Sequence, residues 1–356
     1  MLKEGAEDVE VSTKKDGKNR KTEDEMKHLT TMNVVLSSPY VALQNGYRVE
    51  AVRTLKANGE NAQISWNSEL GMWVFCSKNV ALLAREEDDL EKYCGDTRSR
   101  NAFAYLISKA WFNKLNEMEA SKIEELKADI DGKTMVGEYC GDPNHMHLII
   151  YPKVRIIFYT IVDNNSEYSC LLPEESCRIF KKYSLECVTF ESLGVFDSYQ
   201  DLKLCLKKTY RSVACDTITK AEEGSVIYLI RRSLNVESQG EDRILSLAKM
   251  KTLEYRMYRK LREKIKTVYY RLRSKKKSEV SEKQSWTTMV NKFKTEAKEL
   301  TIDPDSQEMM ISQTEMDYYL NIAQAVADKC YDDTHEQDSA INSYLTFLKG
   351  IIEGTT

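Results

Sequence analysis

The stretch KANGE, Lys56 to Glu60, sets one primary amine ahead of an amide and a glycine. Two readings of that lysine compete. One is the tip of a β-hairpin; the other is a nucleophile held beside a phosphate, where Gly59 lets backbone come close without a Cβ and Asn58 offers its amide to a ligand. A lysine amine of ordinary pKa, about 10.4, is protonated at neutral pH, so a nucleophilic role requires desolvation or neighbouring cations. Arg53 stands just upstream, and Lys78, Lys249 and Lys251 could converge from other elements. A second phosphate candidate, Gly132-Lys133-Thr134, fails as a P-loop, because Lys127 occupies the place of the first glycine and a helical run the place of the strand. Gly132 is read instead as a helix end, with KTMVGEY beginning a strand.

The elements that must position these groups follow from periodicity. AQISWN and MWVFCS read as strands around the turn SELG, and VRIIFYTIV as a longer buried strand. Apolar residues recur at helical spacing in NAFAYLISKAWFNKLNEMEASKIEELK and in QDLKLCLKKTYR. From Leu253 the strands stop, and LEYRMYRKLREKIKTVYYRLRSKKK, TEMDYYLNIAQAVADKCY and SAINSYLTFLKGIIEG are predicted as amphipathic helices. The fold class expected is α+β: a disordered tail over 1–32, an antiparallel-sheet domain over 33–252 and a smaller helical domain over 253–356, with RSKKKSEVSEKQS as a linker.

Composition narrows the function classes. With 356 residues, 42% hydrophobic and 30% charged, the chain reads as an ordinary soluble protein, and its net charge of −4 argues against non-specific coating of nucleic acid. No apolar run approaches the roughly 20 residues needed to span a bilayer, which predicts a cytoplasmic or nuclear location. Nine cysteines without a CxxC pair fit reduced, mostly buried thiols. His145 and His147 read as turn or strand residues without an acidic partner.

KANGE belongs to a set. It is followed by VGEY with Glu138, IIFYTIV with Phe158, EEGSVIYL with Glu223 and Gly224, and LAKMK with Lys249 and Lys251. That order and spacing resembles the covalent nucleotidyltransferase superfamily of polynucleotide ligases and capping enzymes. Asparagine in KxNG, the CSKN segment with Ser77 and Lys78, and the basic run after KxK are similar to the fungal tRNA ligase adenylyltransferase domain and phage RNA ligases, over about residues 40 to 270. The resemblance implies an ATP-dependent RNA ligase: Lys56 takes AMP from ATP, passes it to an RNA 5′-phosphate, and a 3′-hydroxyl then displaces AMP. It implies catalytic roles for Lys56, Lys249 and Lys251. Nucleotide contacts would come from Arg53, Asn58, Gly59, Lys78, Glu138 at the ribose, Phe158 on the adenine and Glu223, the last also contacting Mg2+ or Mn2+. Tyr159, on the other side of its strand, is the alternative to Phe158.

In the basic helix, Tyr255, Tyr258, Leu261, Ile265 and Val268 form a stripe suited to burial, leaving Arg256, Arg259, Lys260 and Arg262 as candidate RNA contacts. Two alternatives stay open, a capping-type guanylyltransferase using GTP and a catalytically silent RNA-binding relative. The chain shows no kinase or phosphodiesterase motif, so separate enzymes would heal the RNA ends before joining.

Overall fold

The computed structural model describes residues 35–93, 100–142, 147–149, 151–164, 170–215, 223–233, 242–273, 282–303, 306–333 and 350. The expected N-terminal tail, His145, Glu222, the 274–281 part of the linker and nearly all of SAINSYLTFLKGIIEG lie outside the described residues. In chain order the strands are β1 Arg48–Lys56, β2 Glu60–Asn67, β3 Met72–Cys76, β4 Ala81–Ala84, β5 Lys133–Cys140, β6 Arg155–Asp163, β7 Phe190–Phe196, β8 Gly224–Arg232 and β9 Arg243–Lys251. A helix over residues 35–44 is α1; it is followed by α2 Ala102–Asn116, α3 Ala120–Ile130, α4 Pro173–Lys182, α5 Tyr199–Cys215, α6 Leu253–Arg273, α7 Glu282–Thr301 and α8 Gln313–Asp333.

The strands form two antiparallel sheets, ordered β7-β1-β8-β9 and β4-β3-β2-β5-β6. Alternation decides what each face covers. On the first sheet Val49, Ala51, Ile227, Leu229 and Met250 pack against Leu202, Leu206 and Val213 of α5. On the second, Trp73, Phe75 and Phe158 meet Trp111 and Phe112 of α2 and Phe180 of α4, with edge-on rings 5.3 Å apart at Trp73 and Trp111.

The helical stretch expected over 101–127 divides in two. After Asn116 the chain leaves the helix, and Glu119 takes an extended conformation (φ −65°, ψ 141°) before α3 begins. The rejected P-loop is indeed a helix-to-strand junction: α3 ends at Ile130, Gly132 has φ +71°, and β5 starts at Lys133.

After Lys251 the described elements are the helices α6, α7 and α8, with an isolated bridge of Ile302 to Met309 between the last two. Tyr255, Tyr258, Leu261, Ile265 and Val268 are all buried, as their stripe predicts, in a core with Trp286, Met289 and Phe293 of α7 and Ala323 and Val326 of α8. That core also takes in Ala57, Leu148, Ile149 and Tyr151. The helices therefore pack directly on the KANG turn. Among the described residues the cysteines are free thiols, and no helix is long and apolar enough to cross a membrane.

Candidate active site

Lys56 is the last residue of β1, and β2 begins at Glu60 in the other sheet. KANG is thus a crossover between sheets and not the tip of a hairpin. Gly59 is required by the crossing: a Cβ there would sit 2.4 Å from the Tyr139 carbonyl oxygen. The glycine serves contact with β5, a structural task distinct from the expected approach to a nucleotide.

Strand register sets Lys56 opposite Gly224, and Gly224 opposite Lys251. Gly224 has φ +145°, and a Cβ on it would lie 2.1 Å from the Met250 carbonyl oxygen. Only glycine lets β8 and β9 close at this point. Glu223, just before it, donates its backbone N–H to the Lys56 carbonyl (2.9 Å) and accepts from Thr252 N (3.2 Å), so the backbone ties it to both lysine-bearing strands. Its carboxylate is 5% exposed, with Lys56 Nζ 2.9 Å from Oε2 and Lys251 Nζ on Oε1. Burial on its own would raise the Glu223 pKa, but Lys56 and Lys251 outweigh it and hold the pKa below the ordinary value. Burial also lowers Lys251, against the pull of Glu223. Of the cations expected around Lys56, Lys251 is the one joined to it, through this carboxylate.

Asn58 is buried, and its polar atoms are committed within the protein. Its Nδ2 donates to Glu223 Oε2 and to the Tyr255 hydroxyl, each at 3.0 Å; Ile149 N donates to its Oδ1 (3.3 Å), and its own N–H donates to the Tyr151 hydroxyl (3.1 Å). In this arrangement its amide braces Glu223, Tyr255 and the Ile149 backbone. Aspartate here would set a second carboxylate against Glu223, which gives asparagine a physical reason in this chain.

The second sheet brings Glu138. Gly137 and a bulge between Val136 and Gly137 precede it, and a Cβ on Gly137 would lie 2.7 Å from the Ile157 carbonyl oxygen. Burial raises the Glu138 pKa to about 7, Lys56 opposes the rise, and Glu223 and Glu60 add to it. Its Oε2 is buried without a hydrogen-bond partner. Such an oxygen is costly unless a ligand group meets it.

Phe158 does not share this face. It is 2% exposed and stacks on Phe180 at 5.0 Å in the aromatic core, because β6 alternation turns it away from Glu138. Tyr159 is the ring on the Glu138 side: its hydroxyl accepts from Asn61 Nδ2 (3.2 Å), and burial, then the charge of Glu138, pushes its pKa up to about 12.

The other expected residues scatter. Alternation puts Arg53 on the opposite face from Lys56, bonded to Ser225 Oγ (2.8 Å) and Glu191 (3.4 Å). Lys249 shares the Lys251 face, is exposed, and acts on Glu138 by its charge. Lys78 is exposed in the turn between β3 and β4, where Ser77 N donates to the Val80 carbonyl. On α6, Arg256 donates to the Tyr210 hydroxyl (3.3 Å), Lys260 pairs with Glu296 (2.9 Å), Arg262 pairs with Glu263 (2.8 Å), and the exposed Arg259 acts on Lys251 and Tyr255 by its charge. His147 does have an acidic neighbour, Glu60 at 3.2 Å, against expectation. Tyr255 and Tyr151 are the residues that sequence reasoning missed at the site; Tyr255 was legible only as core.

No described group of three His, Cys, Asp or Glu side chains could hold a metal ion. Both Glu223 oxygens engage ammonium groups, so metal contact through Glu223 fits only if phosphate oxygens supply the other ligands.

Comparison with known proteins places the chain. Among curated proteins none matches. Solved structures similar to it include an archaeal ATP-dependent RNA ligase (16% identity, TM-score 0.40), aligned over 79% of this chain and 59% of that one. A Naegleria gruberi RNA ligase variant with ATP and Mn (13% identity, TM-score 0.34) aligns over 57% of this chain and 51% of that one. The chain thus spans less than two thirds of the length of these ligases. The family model for RNA ligase matches residues 24–270, a stretch that holds β1 to β9 with Lys56, Glu138, Glu223 and Lys251, and on that match the chain belongs to the RNA ligase family.

Proposed function

We propose that the protein is an ATP-dependent RNA ligase that joins RNA 5′-phosphate and 3′-hydroxyl ends through a Lys56–AMP phosphoramidate. The observation that carries this reading is the clasp of Lys56 and Lys251 on one buried carboxylate, facing the unpartnered Glu138 oxygen. A lysine paired with Glu223 is stored, not yet reactive. Incoming ATP phosphates offer Lys251 a stronger anionic partner, which loosens the clasp.

The Lys56 amine, its proton passed to Glu223 Oε2 at 2.9 Å, then attacks the α-phosphorus as the bond to pyrophosphate breaks. In the second step an RNA 5′-phosphate oxygen attacks the same phosphorus and Lys56 leaves as an amine, taking its proton back from Glu223; in the third the 3′-hydroxyl attacks the RNA 5′-phosphorus, its proton passing to solvent, and AMP leaves. Lys251 and Lys249 oppose the charge growing on the phosphate oxygens. Glu138 receives a ribose hydroxyl on its unpartnered oxygen, and Tyr159, in place of Phe158, lies against the base. A magnesium or manganese ion riding on the triphosphate would supply charge neutralisation beside Glu223.

Residues 253–356 are proposed as the RNA-end-binding part, working in the cytoplasm or nucleus on ends healed by other enzymes. A capping-type enzyme normally adds an OB-fold after KxK, whereas α6 to α8 follow here. The test is incubation with α-labelled ATP or GTP and the divalent ion, followed by RNA strands of defined ends. Protein-bound label from ATP alone and joining only of 5′-phosphate to 3′-hydroxyl support ligation. Label from GTP alone, or from neither nucleotide, rejects it.

A further inference from the structure

Between α6 and α7 runs a groove of about 450 Å3 whose lining includes Lys251, Arg256, Arg259, Lys260, Lys264 and Glu296. Arg256, Lys260 and Lys264 recur every four residues along one face of α6, an arrangement of like charges that repels itself. One carboxylate from α7 relieves it: Glu296 binds Lys260 at 2.9 Å and Lys264 at 2.6 Å, one oxygen to each. Burial would raise the Glu296 pKa, but Lys264 and Lys260 hold it low. Glu263, the other acid at the groove, is engaged from the side by Arg262.

The groove reaches the reaction centre through Lys251, which lines it and also grips Glu223. Lys56 and Lys251 hold different oxygens of that carboxylate. The groove therefore meets the centre at Lys251, one of the two lysines on that carboxylate. An in-line displacement at phosphorus needs its second apical group opposite Lys56, and both candidates for that place carry phosphate: the departing pyrophosphate in the first step and the RNA 5′-phosphate in the second.

We propose that this groove is a phosphate subsite and that Glu296 is its built-in stand-in, a carboxylate that occupies Lys260 and Lys264 until a phosphate group displaces it. The proposal rests on the ligase reading for the source of the phosphate. A dianionic phosphate with three terminal oxygens satisfies both ammonium groups and still offers an oxygen to Arg256 or Arg259.

The test measures dissociation constants of the full chain for a 5′-phosphorylated RNA, the same RNA with a 5′-hydroxyl, and inorganic pyrophosphate. Glu296→Gln should tighten binding of the phosphate-bearing ligand roughly three- to tenfold, and Lys264→Gln should weaken it by a similar factor. Glu299→Gln, which removes the same charge from an exposed position of α7, should change neither. A gain confined to 5′-phosphorylated RNA identifies the RNA end as the occupant, and a gain confined to pyrophosphate identifies the leaving group. No gain, an equal gain for 5′-hydroxyl RNA, or an equal gain in Glu299→Gln overturns the proposal. Tighter binding cannot come from misfolding. Because binding is read without turnover, absence of a lysine adduct would reject the ligase reading alone, whereas adduct formation without the Glu296→Gln gain would reject only the subsite.

Discussion

Glu223 and Glu296 make the same arrangement twice: one carboxylate, two oxygens, a lysine on each. Their surroundings differ. The Glu223 side chain is 5% exposed, is tied by its backbone to Lys56 and Thr252, and takes a third donor from Asn58. The Glu296 side chain is 34% exposed and projects from a helix over an open groove. Removing one partner from a buried clasp strands charge in a poorly solvated place, whereas an exposed one is readily exchanged for another anion. The same chemistry thus gives a fixed element in one place and a displaceable one in the other.

The sharpest break of this contrast is Glu223→Gln. It leaves Lys56 and Lys251 as neighbouring ammonium groups and should cost about 3–5 kcal/mol in denaturant unfolding, with loss of the lysine adduct. Normal stability would mean that the clasp is not a structural element. A comparable contrast lies within β6: Phe158→Ala should cost about 3–5 kcal/mol through the cavity left beside Phe180, while ATP affinity falls only as folding does. Tyr159→Ala should keep most of the stability and weaken ATP binding roughly tenfold. The reverse pattern would return the nucleotide contact to Phe158.

A smaller effect comes from Glu138. Its carboxyl titrates at about 7 in the fold against an ordinary 4.5, so between those values the native state binds the extra proton and stability falls as pH rises. Glu138→Gln should therefore be about 1–3 kcal/mol more stable than the parent above pH 7, the difference vanishing below about pH 4.5. Denaturation midpoints across that range check it, and a flat difference would contradict the burial of Glu138. Smallest of all, Glu296→Gln should change stability by less than about 1 kcal/mol; a loss as large as that of Glu223→Gln would erase the distinction between the two clasps.

Local sequence carried much of this. The alternation in β2, β3 and β6, the helix end at Gly132 and the buried stripe of α6 depend on near neighbours, and Lys251 of the KxK strand, expected to converge near Lys56, does meet it on Glu223. What escaped the sequence depends on register. Asn58 meets Glu223 and Tyr255 across separations of 165 and 197 residues, so no local pattern marks its amide as consumed. Which of Phe158 and Tyr159 faces the site turns on a bulge in the pairing of β5 with β6, and one residue of slip exchanges the faces. Arg53 needs no register to place: three residues from Lys56 on the same strand, it falls on the other face by alternation alone.

The most direct measurement is the intact mass of the protein after incubation with ATP and magnesium, with peptide mapping of the adduct. A gain equal to one AMP, located on Lys56 and absent from Lys56→Ala, is the expected result. An unchanged mass, or an AMP on another residue, would contradict the assignment of the Glu223-clasped amine as the nucleophile.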